Sequence, residues 1–309
     1  MPPAPTEQTA GKPPGKRGFW PHAQAKPAIP APALPPGAGW LYGTHAVLAA
    51  LANPRRRCRR LVVCDAAVGA AIGTAIGTDD ADADGAIAAA AASRGIEAEV
   101  VERATLDRWL PGSAVHQGLA LMADGLPEQG LEVLLDAAPR PPSGRVVALV
   151  LDQVTDARNV GAMLRTAAAF GAAAMVVQTR HAPEPWGALA KAASGAVEQV
   201  PYLREVNIAR ALAELRQGGF LVVGLDATAE MTLADALAAG PEAMPQRVAL
   251  VLGAEDRGLR PNVRDHCARL ARLPMADAAA GIAGIDSLNV SVAAGVALYE
   301  LARAGASGS

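Results

Sequence analysis

Gly284-Ile285-Asp286-Ser287-Leu288-Asn289-Val290-Ser291-Val292-Ala293-Ala294, near the C-terminus, is the stretch on which the reading of this chain turns. Ser287 is a residue type that caps helices, and Leu288, Val292, Val296 and Tyr299 follow at helical spacing on one face. The spacing predicts a helix that lays this face on a core. It holds Asn289 in the first turn, beside backbone N–H groups that have no partner within the helix. Taken alone, the stretch describes an ordinary capped helix.

Upstream, residues 248–252 form a short apolar run that reads as a buried strand, opening into Gly253-Ala254-Glu255-Asp256-Arg257-Gly258. Glycines there let backbone approach a ligand, and Glu255 falls at a strand's carboxyl end, where open α/β sheets bind ligands. Residues 146–151 read as another strand. A polar loop follows, then Asn159-Val160-Gly161-Ala162-Met163-Leu164-Arg165-Thr166-Ala167-Ala168-Ala169-Phe170-Gly171. Asn159 suits an N-cap and Gly171 a C-terminal stop, which puts Arg165 in the second helical turn.

In this order and at these strand ends, the three stretches closely resemble the three motifs of the SpoU/TrmH family of RNA ribose 2'-O-methyltransferases. The likeness covers residues 145–305 and extends more weakly back to Gly39, toward the ribosomal-RNA branch with an N-terminal RNA-binding domain. It implies a C-terminal α/β domain with a mostly parallel sheet and a trefoil knot, bound S-adenosylmethionine, and a homodimer that completes its active site across the pair. By resemblance, Gly253, Leu273, Met275 and Leu288 fall at cofactor positions, and Asn159, Arg165, Glu255 and Asn289 at the catalytic centre. Arginine keeps its proton, so Arg165 is expected to stabilise a developing alkoxide, with Glu255 holding its guanidinium.

The rest of the chain sets bounds on this reading. Its 309 residues suffice for two domains, and its 51% hydrophobic content suffices for their cores. A net charge of −2 excludes a surface that is cationic throughout, so an RNA site must be local. Cys58, Cys64 and Cys267 have neither zinc-ligand spacing nor the even count of a disulfide framework; they read as free thiols of a reducing cytoplasm, with no metal site. No apolar run has the length of a membrane span. Residues 1–38 read as a disordered, proline-rich tail without a secretory h-region.

A small α/β RNA-binding domain is expected over residues 39–123, a linker over 124–144 and the methyltransferase domain over 145–305. The densest positive charge is Arg55-Arg56-Arg57-Cys58-Arg59-Arg60, where Arg56, Arg57, Arg59 and Arg60 read either as RNA contacts or as a solvated strand edge. His116-Gln117-Gly118 reads as a turn and resembles a marker of the ribosomal-RNA branch. Lys191-Ala192-Ala193-Ser194-Gly195-Ala196 reads equally as a helix end or an RNA contact. Two stretches depart from the family pattern: an Ala/Gly/Asp-rich insertion at 69–85, and a long loop at 276–286 beside the cofactor positions. The expected reaction is 2'-O-methylation of ribosomal RNA. The same chemistry on transfer RNA, and a non-catalytic RNA-binding assembly factor, remain as alternatives.

Overall fold

Apolar runs separated by turn residues build two sheets in the computed structural model, which describes residues 29–64, 81–239, 245–275 and 287–306. The tail up to residue 28, residues 69–80 of the first insertion and the whole 276–286 loop lie outside the described residues.

The first sheet contains β1 (Ala38–Tyr42), β2 (Cys58–Cys64), β3 (Ala98–Val101) and β4 (Leu119–Asp124) in the order β1-β4-β2-β3. Here β4 runs antiparallel to β1 and β2, and β2 runs parallel to β3. Helices α1 (Thr44–Ala52), α2 (Ala81–Ser93) and α3 (Arg103–Trp109) connect these strands. A helical turn, α4 (Glu132–Leu135), then interrupts the expected linker; Leu131 and Leu134 are buried there, under the second sheet.

In the second sheet β5 (Val146–Asp152), β6 (Ala174–Gln178), β7 (Tyr202–Glu205), β8 (Leu221–Leu225), β9 (Arg247–Gly253) and β10 (Arg269–Ala271) are all parallel, in the order β10-β8-β9-β5-β6-β7. Both faces are covered, which is why β5 reads as an unbroken apolar run. Val147, Leu149 and Leu151 face α5 (Ala157–Ala169), α6 (Gly187–Ala193) and α10 (Val290–Ala306). The intervening Val146, Ala148 and Val150 face α4, α7 (Ile208–Gln217) and α9 (Pro261–Arg264). One further helix, α8 (Leu233–Ala238), precedes β9. The strand order reverses between β5 and β9, so their carboxyl ends open the crevice in which such sheets bind ligands.

Two helix starts differ from the sequence reading. Asp156, not Asn159, caps α5, its carboxylate accepting from the backbone N–H groups of Arg158 and Asn159. Asn289, not Ser287, caps α10: its side-chain oxygen accepts from Ser291 N at 3.0 Å and Val292 N at 3.4 Å. The face of α10 is corrected too. Val290, Ala294, Ala297, Leu298 and Leu301 are buried, whereas Leu288, Val292, Val296 and Tyr299 are exposed. Periodicity finds an apolar stripe but not the side on which its neighbours lie. A helix can carry two such stripes, and here the small residues Ala294 and Ala297 let α10 approach the sheet closely.

The arginine run is also corrected. Arg56 is 1% exposed, so it is closed to RNA. Its guanidinium forks onto Glu198 at 2.5 and 3.1 Å, donates to the Asp124 carbonyl at 2.9 Å and stacks 5.3 Å from the Trp186 ring. Asn53 donates to the other Glu198 oxygen at 2.6 Å. Burying these charges without water requires such full pairing. Around this pair the apolar core runs on from Leu41 and Leu61 of the first sheet to Leu149 of the second. Arg59 pairs with Asp124, and Arg60 forks onto Glu99 at 2.5 and 2.7 Å while lying over Trp109. Arg57, three-quarters exposed and 3.8 Å from Asp124, is open to solvent, as is Arg55.

The three thiols are free; Cys64 is buried, Cys58 and Cys267 half-buried. Burial pushes the Cys267 thiol up to about 12 and raises the other two as well. Among the described residues no helix is long and apolar enough to cross a membrane.

Candidate active site

At the carboxyl ends of β5 and β9 the first element to build is the loop carrying Glu255. A Cβ on Gly253 would fall 2.1–2.4 Å from the backbone of Gly258 and Leu259, so only glycine lets the chain double back on the strand end. The turn closes with Gly258 N donating to Ala254 O at 2.8 Å. Beyond it, buried Asp152 at the end of β5 accepts from the Arg260 backbone N–H at 2.9 Å and its Nε at 2.7 Å. Glu255 therefore sits on a loop pinned at both ends.

Asn159, in the first turn of α5, and Asn289, at the cap of α10, converge on that loop. One carboxylate oxygen of Glu255, Oε1, accepts from Asn159 Nδ2 at 3.1 Å, Asn289 Nδ2 at 2.5 Å and Val290 N at 3.1 Å. Asn289 Nδ2 also lies 3.2 Å from Asn159 Oδ1. Three residues separated by up to 130 positions thus form one polar knot, and Glu255 Oε2 accepts nothing among the described residues.

Arg165 is not brought into this group. It is exposed on the third turn of α5 and makes no hydrogen bond or ion pair among the described residues. The expected fork from Glu255 to Arg165 is not made within one chain, where the donors to Glu255 are two asparagines and a backbone N–H. Helical geometry gives the reason, since six residues advance about 9 Å and make about one and two-thirds turns, taking Arg165 off the face that carries Asn159.

Beside the knot opens a cavity of about 570 Å³. Gly253, Leu273, Met275 and Leu288 all line it, together with Glu255. Sequence reasoning missed Asp226 and Thr228, which follow β8, and Arg264 on α9. Burial acts to raise the Asp226 carboxyl, but hydrogen bonds from the Thr228 hydroxyl and N–H, and the charge of Arg264 at 2.5 Å, outweigh it and hold the group below its ordinary value. Position at a strand's carboxyl end is the signal that marks Asp226. The cavity wall is apolar from Leu225, Leu252, Leu273 and Ala293, with the Asp226 carboxylate among them. A flat aromatic group and hydroxyls that seek an acceptor fit such a lining.

The loop His116-Gln117-Gly118 carries no reactive geometry. His116 is buried, its Nδ1 accepting from Gly118 N at 3.0 Å and its Nε2 lying 2.8 Å from Asp107. Gln117, at a φ of 55°, accepts from Lys191 Nζ at 3.0 Å and so ties this loop to α6.

Comparison with known proteins matches residues 146–299 to the SpoU rRNA methylase family and residues 40–129 to the RNA 2'-O ribose methyltransferase substrate-binding family. The 23S rRNA (guanosine-2'-O-)-methyltransferase RlmB of Pseudomonas syringae pv. tomato is 37% identical over 85% of this chain and 94% of its own length. That of Xylella fastidiosa is 36% identical over 85% and 96%. Among solved structures, the SpoU methyltransferase AviRb from Streptomyces viridochromogenes, in complex with AdoMet, aligns with a TM-score of 0.64 at 20% identity over 87% of this chain and 90% of that one. An AdoMet-bound rRNA methyltransferase from Sinorhizobium meliloti aligns at 0.63 and 22% identity, covering 87% and 88%. At these identities both structures speak for the shared fold.

Proposed function

This chain belongs to the SpoU rRNA methylase family, and on that footing we propose that it transfers a methyl group from S-adenosylmethionine to the ribose 2'-hydroxyl of a guanosine in 23S ribosomal RNA, in the cytoplasm and as a homodimer. The observation that carries this reading is the convergence of Asn159, Glu255 and Asn289 at the lip of a cavity lined by Gly253, Leu273, Met275 and Leu288.

The lining fits the cofactor. Leu225, Leu252 and Leu273 would pack the adenine and the carbon chain, and Asp226 would accept from the ribose hydroxyls. When bound, S-adenosylmethionine supplies an electrophilic methyl group on a sulfonium centre. What this chain must add is alignment of the attacking hydroxyl and stabilisation of the charge it develops. Asn159 and Asn289 hold Glu255 in one orientation, leaving Oε2 to accept a hydrogen bond from the 2'-hydroxyl. Arg165 faces the developing alkoxide with a guanidinium that stays charged.

Arg165 reaches a site only if a second copy presents it. Support comes from the stripe of Val292, Val296 and Tyr299, from 44 to 56% exposed, with Tyr299 edge-on to Phe170 of α5 at 6.3 Å between ring centroids. Apolar side chains at helical spacing on an open face mark an association surface. A second copy of this chain docks there, bringing the Arg165 of one copy to the Glu255 of the other. Val296→Glu combined with Tyr299→Glu is expected to convert a dimer to a monomer in sedimentation equilibrium and to abolish methyl transfer. A variant that still sediments as a dimer removes this face from consideration.

The reaction is tested by incubating total RNA from cells lacking this protein with radiolabelled S-adenosylmethionine and mapping the modified ribose. Label at a guanosine of 23S ribosomal RNA is the expected outcome. Label on transfer RNA, or none despite measurable cofactor binding, replaces this reading with one of the two alternatives.

A further inference from the structure

A second, smaller cavity of about 190 Å³ lies on the other side of the Glu255 loop, at the carboxyl ends of β5, β6 and β9. Its wall is made by Gln153, Thr155, Arg180, His181, Asp256 and Arg257. It shares Ala254 and Arg257 with the larger cavity, so residues 254–257 are a partition between the two. The volume is below the roughly 300 Å³ at which pockets for drug-sized ligands begin, and suits one small group.

We propose that this cavity seats an RNA phosphodiester, the one on the 3' side of the methylated ribose. This rests on the reading of the larger cavity as the methyl-donor site. The chemistry of the lining comes first: two guanidiniums stand against a single carboxylate, and Asp256 is already 3.4 Å from Arg257. Arg180 and His181 are exposed and make no hydrogen bond or ion pair among the described residues, so their N–H donors are uncommitted. The Gln153 amide and the Thr155 hydroxyl add neutral donors. Guanidinium forks match phosphate oxygens in geometry as well as charge.

Backbone conformation supports the same assignment. Gln153 at a φ of 60° and His181 at 71° are two of the four non-glycine residues with positive φ among the described residues, and both line this cavity. Such conformations are strained for a residue with a side chain and persist where the surrounding structure holds them, which is common at ligand-binding sites. The geometry of RNA gives the last step. The 2'-oxygen and the 3'-phosphate leave neighbouring carbons of one ribose, so a hydroxyl held at Glu255 places that phosphate beside the partition, on the side away from the methyl donor. Seating the phosphate there fixes the rotation of the ribose.

The test compares wild type with Arg180→Ala/His181→Ala, neither residue lining the larger cavity, and with Arg210→Ala as an exposed-charge control on α7. Binding of a fluorescent single-stranded RNA is measured from low to moderate salt, alongside the KM for 23S ribosomal RNA and the Kd for S-adenosylmethionine. The double variant is expected to bind the cofactor as wild type does and to show a KM for RNA raised about tenfold or more. Its plot of log affinity against log salt should be shallower by about 0.7, one phosphate's share for a single strand. Arg180→Lys should recover part of the loss. An unchanged KM and an unchanged salt slope, with cofactor affinity intact, overturn the assignment. Wild type that binds RNA but transfers no methyl group counts instead against the function proposed above, and the salt slopes still decide the cavity.

Discussion

Arg165→Ala lowers the single-turnover rate of methyl transfer by about 10²- to 10⁴-fold and leaves the Kd for S-adenosylmethionine near that of wild type. The expectation follows from position. Arg165 is exposed on α5, does not line the 570 Å³ cavity and has no partner among the described residues whose loss would disturb the fold. On the proposed role its removal would cost charge stabilisation in the transition state and little else. In the proposed dimer the Arg165 of one copy serves the Glu255 of the other, so inactive Arg165→Ala and inactive Glu255→Ala proteins, mixed and allowed to exchange subunits, are expected to regain part of the activity: each mixed dimer would hold one intact composite site. Near-normal turnover by Arg165→Ala would remove its catalytic role. A mixture that stays as inactive as its parents shows that both residues serve the same copy's site.

Arg56→Ala is expected to cost about 3–5 kcal/mol, because it leaves the carboxylate of Glu198 buried with only the Asn53 amide for a partner. In a chain of this size that lowers the melting temperature by on the order of 10 °C. The side chains of both members are 5% exposed or less, so solvent does not screen the loss. Replacing both, as Arg56→Met with Glu198→Leu, removes the stranded charge and recovers a large part of the stability. Differential scanning calorimetry of wild type and the two variants decides the point. A melting temperature for Arg56→Ala within a degree or two of wild type means that water reaches Glu198 and that the pair is not the fastening described here. The same pair joins the turn before β2 to the 3₁₀ turn Ala196–Glu198 before β7.

Some of this was legible along the chain because it rests on local pattern. The unbroken apolar runs at 146–151 and 248–252 are strands, since only a sheet covered on both faces asks for them. Gly171, with a φ of 68°, stops α5 as its residue type suggests. The capping residues were harder to read, because Ser, Asp and Asn compete within a few positions. Asp156 and Asn289 cap instead of Asn159 and Ser287, a shift of three positions and of two that composition does not encode. That register matters to the site: with Asp156 at the cap, the side-chain oxygen of Asn159 is left to accept from Asn289 Nδ2 while its own Nδ2 donates to Glu255.

By itself the sequence determined the alternation of strand and helix, the glycine at 253 that lets the Glu255 loop fold back, and the order in which Asn159, Glu255 and Asn289 arrive at strand and helix ends. Tertiary structure alone decided three other matters: that the two asparagines, not Arg165, hold Glu255; that the apolar stripe of α10 faces outward; and that one arginine in a run of five is the buried partner of a glutamate 142 residues away. The physical reason is common to all three. Periodicity and residue type report what a segment can offer on each face, whereas burial and pairing depend on which distant surface closes over that face, and that is fixed only when the sheets pack.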